Sequence, residues 1–217
     1  MRGSGHLAWL WMHLGQFTRA WQALDAANAA TVPPPLQARV SQLQGRLLLA
    51  LQQPGAHAAF ERAQAEAPLS GRTLVQSLVA LDHARTLPPA QALDRCEQIA
   101  RQCAELHFDG AALSAHTRAA AFALDAGEPE RALAHARRVL AAPADITADD
   151  LYPAEPWLLA ARACLAAGMQ ADAQAALEAG CHWVLQTSQT QVPPQFRDSF
   201  LQHNPVNREL LALSTRA

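Results

Sequence analysis

The feature of this 217-residue sequence that most restricts its fold is a series of paired small residues. Four pairs have their members 12 residues apart, and a fifth pair has them 13 residues apart. The pairs are Ala8 and Ala20, Gly45 and Ala58, Ala80 and Ala92, Ala120 and Ala132, and Ala161 and Ala173. Successive second members are 34 to 41 residues apart, an interval typical of stacked helical hairpins. We therefore expect five antiparallel helix pairs whose axes cross at these small side chains.

Local signals also favour helices over strands. In three pairs a glycine lies five residues before the second alanine, at Gly15, Gly127 and Gly168, where it would allow a turn with positive φ. Alanine and leucine dominate the sequence and β-branched residues are few, a composition that favours helix. Prolines stand where helices are expected to begin. The sequence thus predicts an all-α protein.

The spacing of these residues is similar to that of a known repeat. The last pair carries it most fully, with Trp157, Ala161, Gly168, Ala173 and Leu177. The first pair shares it through Ala8, Gly15, Ala20, Leu24 and Ala27. Over roughly residues 5–187 the chain resembles the tetratricopeptide-repeat family. This resemblance implies a right-handed α-solenoid of about five helical hairpins that binds other proteins.

The C-terminal segment has a second resemblance. Residues 192–213, VPPQFRDSFLQHNPVNRELLAL, are similar to the closing segment of the helical-repeat region in large bacterial signalling and transcription regulators. Its apolar residues predict two short amphipathic helices that can cover exposed apolar surface of a solenoid. They are Phe196, Phe200, Leu201, Val206, Leu210 and Leu211. We therefore assign residues 1–187 to the repeat array and residues 188–217 to C-terminal capping helices.

Composition excludes several functions. All 17 basic residues are arginine, so a P-loop lysine and a lysine Schiff base are impossible. The formal net charge of −2 gives no electrostatic reason to expect nucleic acid or an anionic membrane as partner. No signal peptide or membrane span is recognisable, and the four cysteines lie among helical patterns. We expect reduced thiols and a bacterial cytoplasmic location.

Two sets of residues have the side-chain types of catalytic or metal sites. Cys96, Cys103 and His107 are spaced for one face of a helix and have zinc-ligand chemistry. No fourth ligand is evident and Cys96 occupies a core position, so we expect core packing. Asp198, Ser199 and His203 have the residue types of a hydrolase triad but lack a nucleophile elbow and an oxyanion loop, and we expect a solvated helix face.

We also predict that two sets of polar residues lie on the solvent-exposed surface. The acids Asp145, Asp149, Asp150 and Glu155 do not form a calcium-binding loop sequence. Residues Arg131, His135 and Arg138 form a polar stripe on a helix that should face outward. We therefore expect no catalytic, cofactor-binding or metal-binding residue.

The inner face of the array is the more informative candidate. In such arrays the first helix of each hairpin lines a groove, and its polar positions can be counted from the small residues. The groove positions are His6, Trp9, His13, Arg39, Gln42, Arg46, Ser77, Arg85, Thr117, Arg118 and Arg162. Five are arginines, and the one clear acid beside them is Glu155. Because guanidinium groups bind carboxylates in bidentate fashion, we expect a peptide groove for an acidic or C-terminal segment of a partner. The alternative is that these arginines only solvate helix flanks.

The broader role has alternatives. The C-terminal resemblance implies a sensor or protein-binding part of a bacterial signalling or transcription regulator. A stand-alone scaffold or chaperone-like adaptor is the second possibility, and a small hydrolase or metal-binding protein is the third. Leu7, Leu10, Trp11 and Leu14 in the first pair are also candidates for a self-association surface.

Overall fold

The computed structural model describes residues 4–29, 32–143 and 145–215. Within these ranges the chain forms 12 α-helices and no strand, which confirms the all-α class. The helices are α1 (Ser4–His13), α2 (Phe17–Ala29), α3 (Pro34–Ala50), α4 (Ala56–Glu66), α5 (Thr73–His83), α6 (Pro89–Glu105), α7 (Asp109–Asp125), α8 (Pro129–Leu140), α9 (Glu155–Ala166), α10 (Gln170–Thr190), α11 (Arg197–Gln202) and α12 (Pro205–Ser214). Within the same ranges, no helix is both long enough and apolar enough to span a lipid bilayer.

The chain divides into two compact units. The first contains α1 to α5 together with residues 192–205, and the second contains residues 87–191 and the segment from 206 onward. The C-terminal segment is therefore shared between the units, and the boundary expected at 187/188 falls within α10. The third small-residue pair is also divided, because Ala80 belongs to the first unit and Ala92 to the second.

The predicted turn glycines form one recurring motif. After α1, the Gly15 N–H donates to Met12 O at 3.0 Å and the Gln16 N–H donates to Trp11 O at 2.8 Å. The same two bonds close α7 at Gly127 and α9 at Gly168, and φ at the three glycines is 68°, 74° and 73°. This is the Schellman arrangement, in which a residue with positive φ ends a helix and pairs its last carbonyls.

Two further copies of this turn contain no glycine: one follows α3 at Gln52, and the other follows α6 at His107. The His107 N–H donates to Ala104 O at 3.1 Å and the Phe108 N–H donates to Cys103 O at 2.8 Å, with φ of 56° at His107. The turn joins α6 to α7, two helices that pack against each other. His107 thus lies beyond the end of α6, so the expectation that it shares a helix face with Cys96 and Cys103 is wrong.

The small residues occupy helix contacts in three of the pairs. In the pairs α1/α2, α7/α8 and α9/α10 the helices pack against each other. Their small residues are all fully buried, namely Ala8, Ala20, Ala120, Ala132, Ala161 and Ala173. This burial is what the close approach of two helix backbones requires.

The second pair has a different register. Ala58 is exposed, so its assignment to a helix crossing is wrong. The residue opposite Gly45 is Phe60, whose ring would lie 2.5 Å from a Cβ added at Gly45. The link from α3 to α4, residues 51–55, is longer than the three-residue links α1–α2, α6–α7, α7–α8 and α9–α10. It contains Gln52 and Gly55, both with positive φ.

In the first unit, α11 packs on the turn between α1 and α2. Ser199 Oγ donates to Leu14 O at 2.7 Å and accepts from Gln16 Nε2 at 2.8 Å. Asn204 Nδ2 donates to His13 O at 2.8 Å, so two carbonyls at the end of α1 are paired by side chains. Ser199 is buried, and the expectation that it lies on a solvated face is wrong.

Aromatic contacts reinforce this junction. The rings of Trp11 and Phe196 meet edge to face at 5.4 Å, and the Arg19 guanidinium lies within 5.0 Å of both ring centroids. Trp11 is thus partly covered within the unit, which corrects its assignment to an exposed self-association surface. Leu7 and Leu10 remain 44% and 53% exposed.

Candidate functional site

The structure distributes the predicted groove residues over both units. Thr117, Arg118 and Arg162 lie in the second unit, and the remaining eight lie in the first. Three of those eight, Gln42, Arg46 and Arg85, contact Asp82, which is not among the predicted groove positions. Arg39 is linked to Asp82 through Gln42, and Trp9 through Arg46.

Asp82 lies on α5 and its side chain is only 1% exposed. Its Oδ2 atom accepts a hydrogen bond from Gln42 Nε2 at 2.7 Å and pairs with Arg46 Nε. The other carboxylate oxygen lies 3.4 Å from Arg85 Nε. A buried carboxylate of this kind is stable only when its charge is paired and its lone pairs are hydrogen-bonded.

Gln42 connects a third arginine to the same carboxylate. The Gln42 side chain is fully buried, and its amide nitrogen also donates to Leu78 O at 3.1 Å. Its amide oxygen accepts from Arg39 Nη1 at 2.6 Å. We call Arg39, Gln42, Arg46, Asp82 and Arg85 the Asp82 cluster.

An aromatic surface adjoins the cluster. The Arg46 guanidinium lies 4.9 Å from the centroid of the Trp9 ring, a cation–π distance. The His13 ring meets Trp9 edge to face at 4.3 Å. Trp9 is half-buried. His6 is exposed on α1 and Ser77 is half-buried on α5, outside the hydrogen bonds just described.

The predicted residues of the second unit have intramolecular partners. Arg118 Nη1 pairs with Glu155 Oε1, and both side chains are buried. Thr117 Oγ1 donates to Leu113 O at 2.8 Å within α7. Arg162 pairs with Glu209 of α12, and both side chains are partly exposed.

These pairs correct the charge balance inferred from the sequence. The five groove arginines do not stand against a single acid, because Asp82 and Glu209 join Glu155 as their partners. Asp82 was missed because the groove positions were counted from Ala80, and that count selected Ser77 and Arg85. Glu209 was missed because it belongs to the segment assigned as a cap.

The Asp82 cluster contains three arginines around a single buried carboxylate. Two guanidinium groups, those of Arg46 and Arg85, lie against the Asp82 carboxylate, and a third, that of Arg39, donates to Gln42, so these five side chains carry more positive than negative charge. Arg46 is buried, whereas Arg85 is 25% exposed and Arg39 is half-buried. Arg39 and Arg85 are therefore the more exposed guanidinium groups of the cluster.

The other candidates have mainly structural positions. Cys96 and Cys103 are fully buried among apolar residues of α6, as the core interpretation predicts. Within the described ranges, no three histidine, cysteine or acidic side chains are grouped as a metal site. His135 is buried rather than solvated, so the expectation of an outward polar stripe is wrong at that residue.

Comparison with protein-family models, with curated proteins and with solved structures finds no significant match for this chain.

Proposed function

We propose that this chain is a non-catalytic protein-binding module of the tetratricopeptide-like helical type. In this proposal it recognises the C-terminal carboxylate of an acidic segment of a partner protein at the Asp82 cluster. The observation that carries the proposal is the grouping of three arginines around one buried carboxylate beside Trp9: Arg46 and Arg85 contact Asp82 directly, and Arg39 is linked to it through Gln42.

Preorganisation is the physical basis of this recognition. A free arginine side chain loses conformational entropy when it binds a ligand, and holding it in place beforehand reduces that loss. Asp82 fixes Arg46 and Arg85 directly, and it fixes Arg39 through Gln42. A carboxylate that approaches Arg39 and Arg85 therefore meets guanidinium groups that are already oriented, and the Trp9 ring offers an adjacent apolar contact.

The proposal extends to the cellular role. The resemblance of residues 192–213 to regulator sequences supports a regulatory part of a bacterial signalling or transcription regulator in the cytoplasm. Binding would then bias a switch by its different affinity for the two states of that switch. A coding sequence that joins the module to a nucleotide-binding domain would support this role, whereas a free-standing gene would support a scaffold or adaptor.

The test compares peptides that differ only in one carboxylate. A library of fluorescein-labelled acidic peptides, each made with a free and with an amidated C-terminus, is titrated with the full chain and followed by anisotropy. We expect the free-acid form of the bound peptides to be preferred by at least about tenfold, since a charged hydrogen bond contributes roughly 1.5–3 kcal/mol. The affinity should fall as salt is raised.

The variant arm uses the two less buried arginines of the cluster, to limit the effect on folding. Arg39→Gln combined with Arg85→Gln should weaken binding by at least about tenfold. Arg62→Gln is the matched control, because Arg62 is exposed and donates to Gln44 at 2.9 Å much as Arg39 donates to Gln42. Equal affinity for free and amidated peptides would overturn the proposal. Equal losses of affinity in Arg39→Gln/Arg85→Gln and in Arg62→Gln would overturn it too.

A further inference from the structure

A partly buried contact between two histidines lies in the second unit. His116 Nδ1 on α7 is 3.1 Å from His135 Nδ1 on α8. The other ring nitrogen of His135 is 3.0 Å from Glu97 Oε1 on α6. His135 is buried and His116 is half-buried. Two hydrogen bonds thus join three helices through ionisable side chains.

The positions of the protons follow from Glu97. Burial acts to raise the pKa of Glu97, but hydrogen bonds from His135 and Arg131 outweigh it, and the pKa is lowered. Glu97 is therefore a carboxylate at neutral pH and can only accept. His135 must carry its proton on Nε2, which leaves Nδ1 bare when the ring is neutral. The 3.1 Å contact then requires that His116 Nδ1 carries a proton and donates it.

Burial is the main reason why both rings favour the neutral form. Burial lowers the pKa of His116 to about 4, and the charges of His135 and Arg138 act in the same direction. Burial also lowers the pKa of His135, against the opposing effect of Glu97.

The helices around the histidine pair carry several other charged side chains. On α6, Asp94 and Glu97 pair with Arg131, and α8 contributes Arg131 and Arg138. On α9, Glu155 is paired with Arg118 of α7. The carboxylate that faces the histidine pair directly is therefore Glu97.

We propose that His116, His135 and Glu97 form an acid-sensitive latch between α7 and α8, which tolerates one added proton and opens on the second. The proposal does not depend on peptide binding at the Asp82 cluster. Its physical basis is the opposition of two Nδ1 atoms, which can share one proton but cannot each hold one.

The first proton can be accepted without breaking the contact. It binds His135 Nδ1, and the resulting imidazolium donates to Glu97 from Nε2 and to His116 from Nδ1. His116 releases its Nδ1 proton to solvent and takes one on Nε2, so its Nδ1 becomes the acceptor. The net change is one added proton and a reversed hydrogen bond.

A second proton cannot be accepted by reversing the hydrogen bond again. It binds His116 Nδ1, and two N–H groups on two cationic rings then face each other across the contact. Like charges and facing donors are both unfavourable, so the rings must separate and the α7–α8 contact must loosen. Acidification is thereby coupled to the packing of the second unit.

The size of the effect follows from linkage. If opening returns His116 from a pKa of about 4 to the ordinary value of 6.5, acidification to pH 5 favours the open form by about thirtyfold. Hydrogen exchange followed by mass spectrometry at pH 8 and pH 5, corrected for intrinsic exchange rates, measures this factor. We expect protection in α7 and α8 to fall by about thirtyfold, with α3 and α4 of the first unit as the internal reference.

Two further measurements make the test decisive. Nitrogen NMR of the histidine rings at pH 7.5 should show a proton on Nδ1 of His116 and on Nε2 of His135. His116→Gln should remove most of the pH-dependent loss of protection, whereas the exposed control His182→Gln should retain it.

The refuting results are equally specific. Unchanged protection of α7 and α8 at pH 5 would overturn the latch, as would the opposite tautomers. The two wild-type measurements decide the matter even where His116→Gln does not fold.

Discussion

Replacing Asp82 by asparagine should be among the most damaging single changes in the first unit. The side chain is 1% exposed, and the Arg46 side chain that pairs with it is 8% exposed. Asparagine keeps the shape but removes the charge, so the buried Arg46 guanidinium loses this carboxylate. Breaking a buried ion pair by removing one partner costs about 3–5 kcal/mol. We expect the free energy of unfolding to fall by that amount.

Urea denaturation followed by far-UV circular dichroism measures the loss. Asp94→Asn is the control, because Asp94 is 74% exposed and its pair with Arg131 spans 3.3 Å, so the loss should stay below about 1 kcal/mol. Asp82→Ala combined with Arg46→Met should recover much of the stability, since apolar replacement of a buried pair is often nearly neutral. The reasoning is refuted if Asp82→Asn is no more harmful than Asp94→Asn, or if the double variant is as unstable as the single one.

Three further predictions concern the turns and the histidine pair. Gly127→Ala should cost about 1–2 kcal/mol through positive φ alone, because nothing lies within 4 Å of an added Cβ. Gly15→Ala should cost more, since its Cβ would lie 2.3 Å from Ser199 O. Equal losses of stability in urea denaturation would contradict this. His107→Gly should raise the free energy of unfolding by roughly 0.5–1 kcal/mol by relieving positive φ, and a lower thermal midpoint would contradict it. The lowered pKa of His116 means that the unfolded chain binds more protons between pH 6.5 and about 4. Its contribution to stability is therefore full above pH 6.5 and is lost as the pH falls towards 4, by about 2 kcal/mol after allowance for partial exposure. A wild-type urea midpoint that does not change with pH in that window, or a His116→Gln variant with the same pH dependence as the wild type, would count against it.

The helices and most of the turns could be predicted because their signals are local. Alanine content favours helix wherever it occurs, and a glycine ahead of a buried alanine marks a Schellman turn at Gly15, Gly127 and Gly168. The same turn at His107 was hidden, because nothing in the sequence distinguishes a histidine with positive φ from a helical one. The register of the second pair failed for a related reason, since the length of the link through Gln52 and Gly55 decides whether Ala58 or Phe60 meets Gly45.

Only part of the candidate site could be predicted from the sequence. Counting inner positions selected Arg39, Gln42, Arg46 and Arg85, which do converge in space. It could not show that Asp82 lies between them, because the partner of a buried charge depends on contacts between helices far apart in sequence. The burial of His135 escaped for that reason too, since Glu97 is 38 residues away.

The measurement that most directly tests the central claim is a binding titration that compares one acidic peptide with a free and with an amidated C-terminus. It is made with the wild type, with Arg39→Gln/Arg85→Gln and with Arg62→Gln. Recognition of a carboxylate at the Asp82 cluster predicts at least about tenfold preference for the free acid in the wild type and in Arg62→Gln. That preference should be lost in the double variant. A preference that survives in Arg39→Gln/Arg85→Gln, or that is lacking in the wild type, would contradict the account.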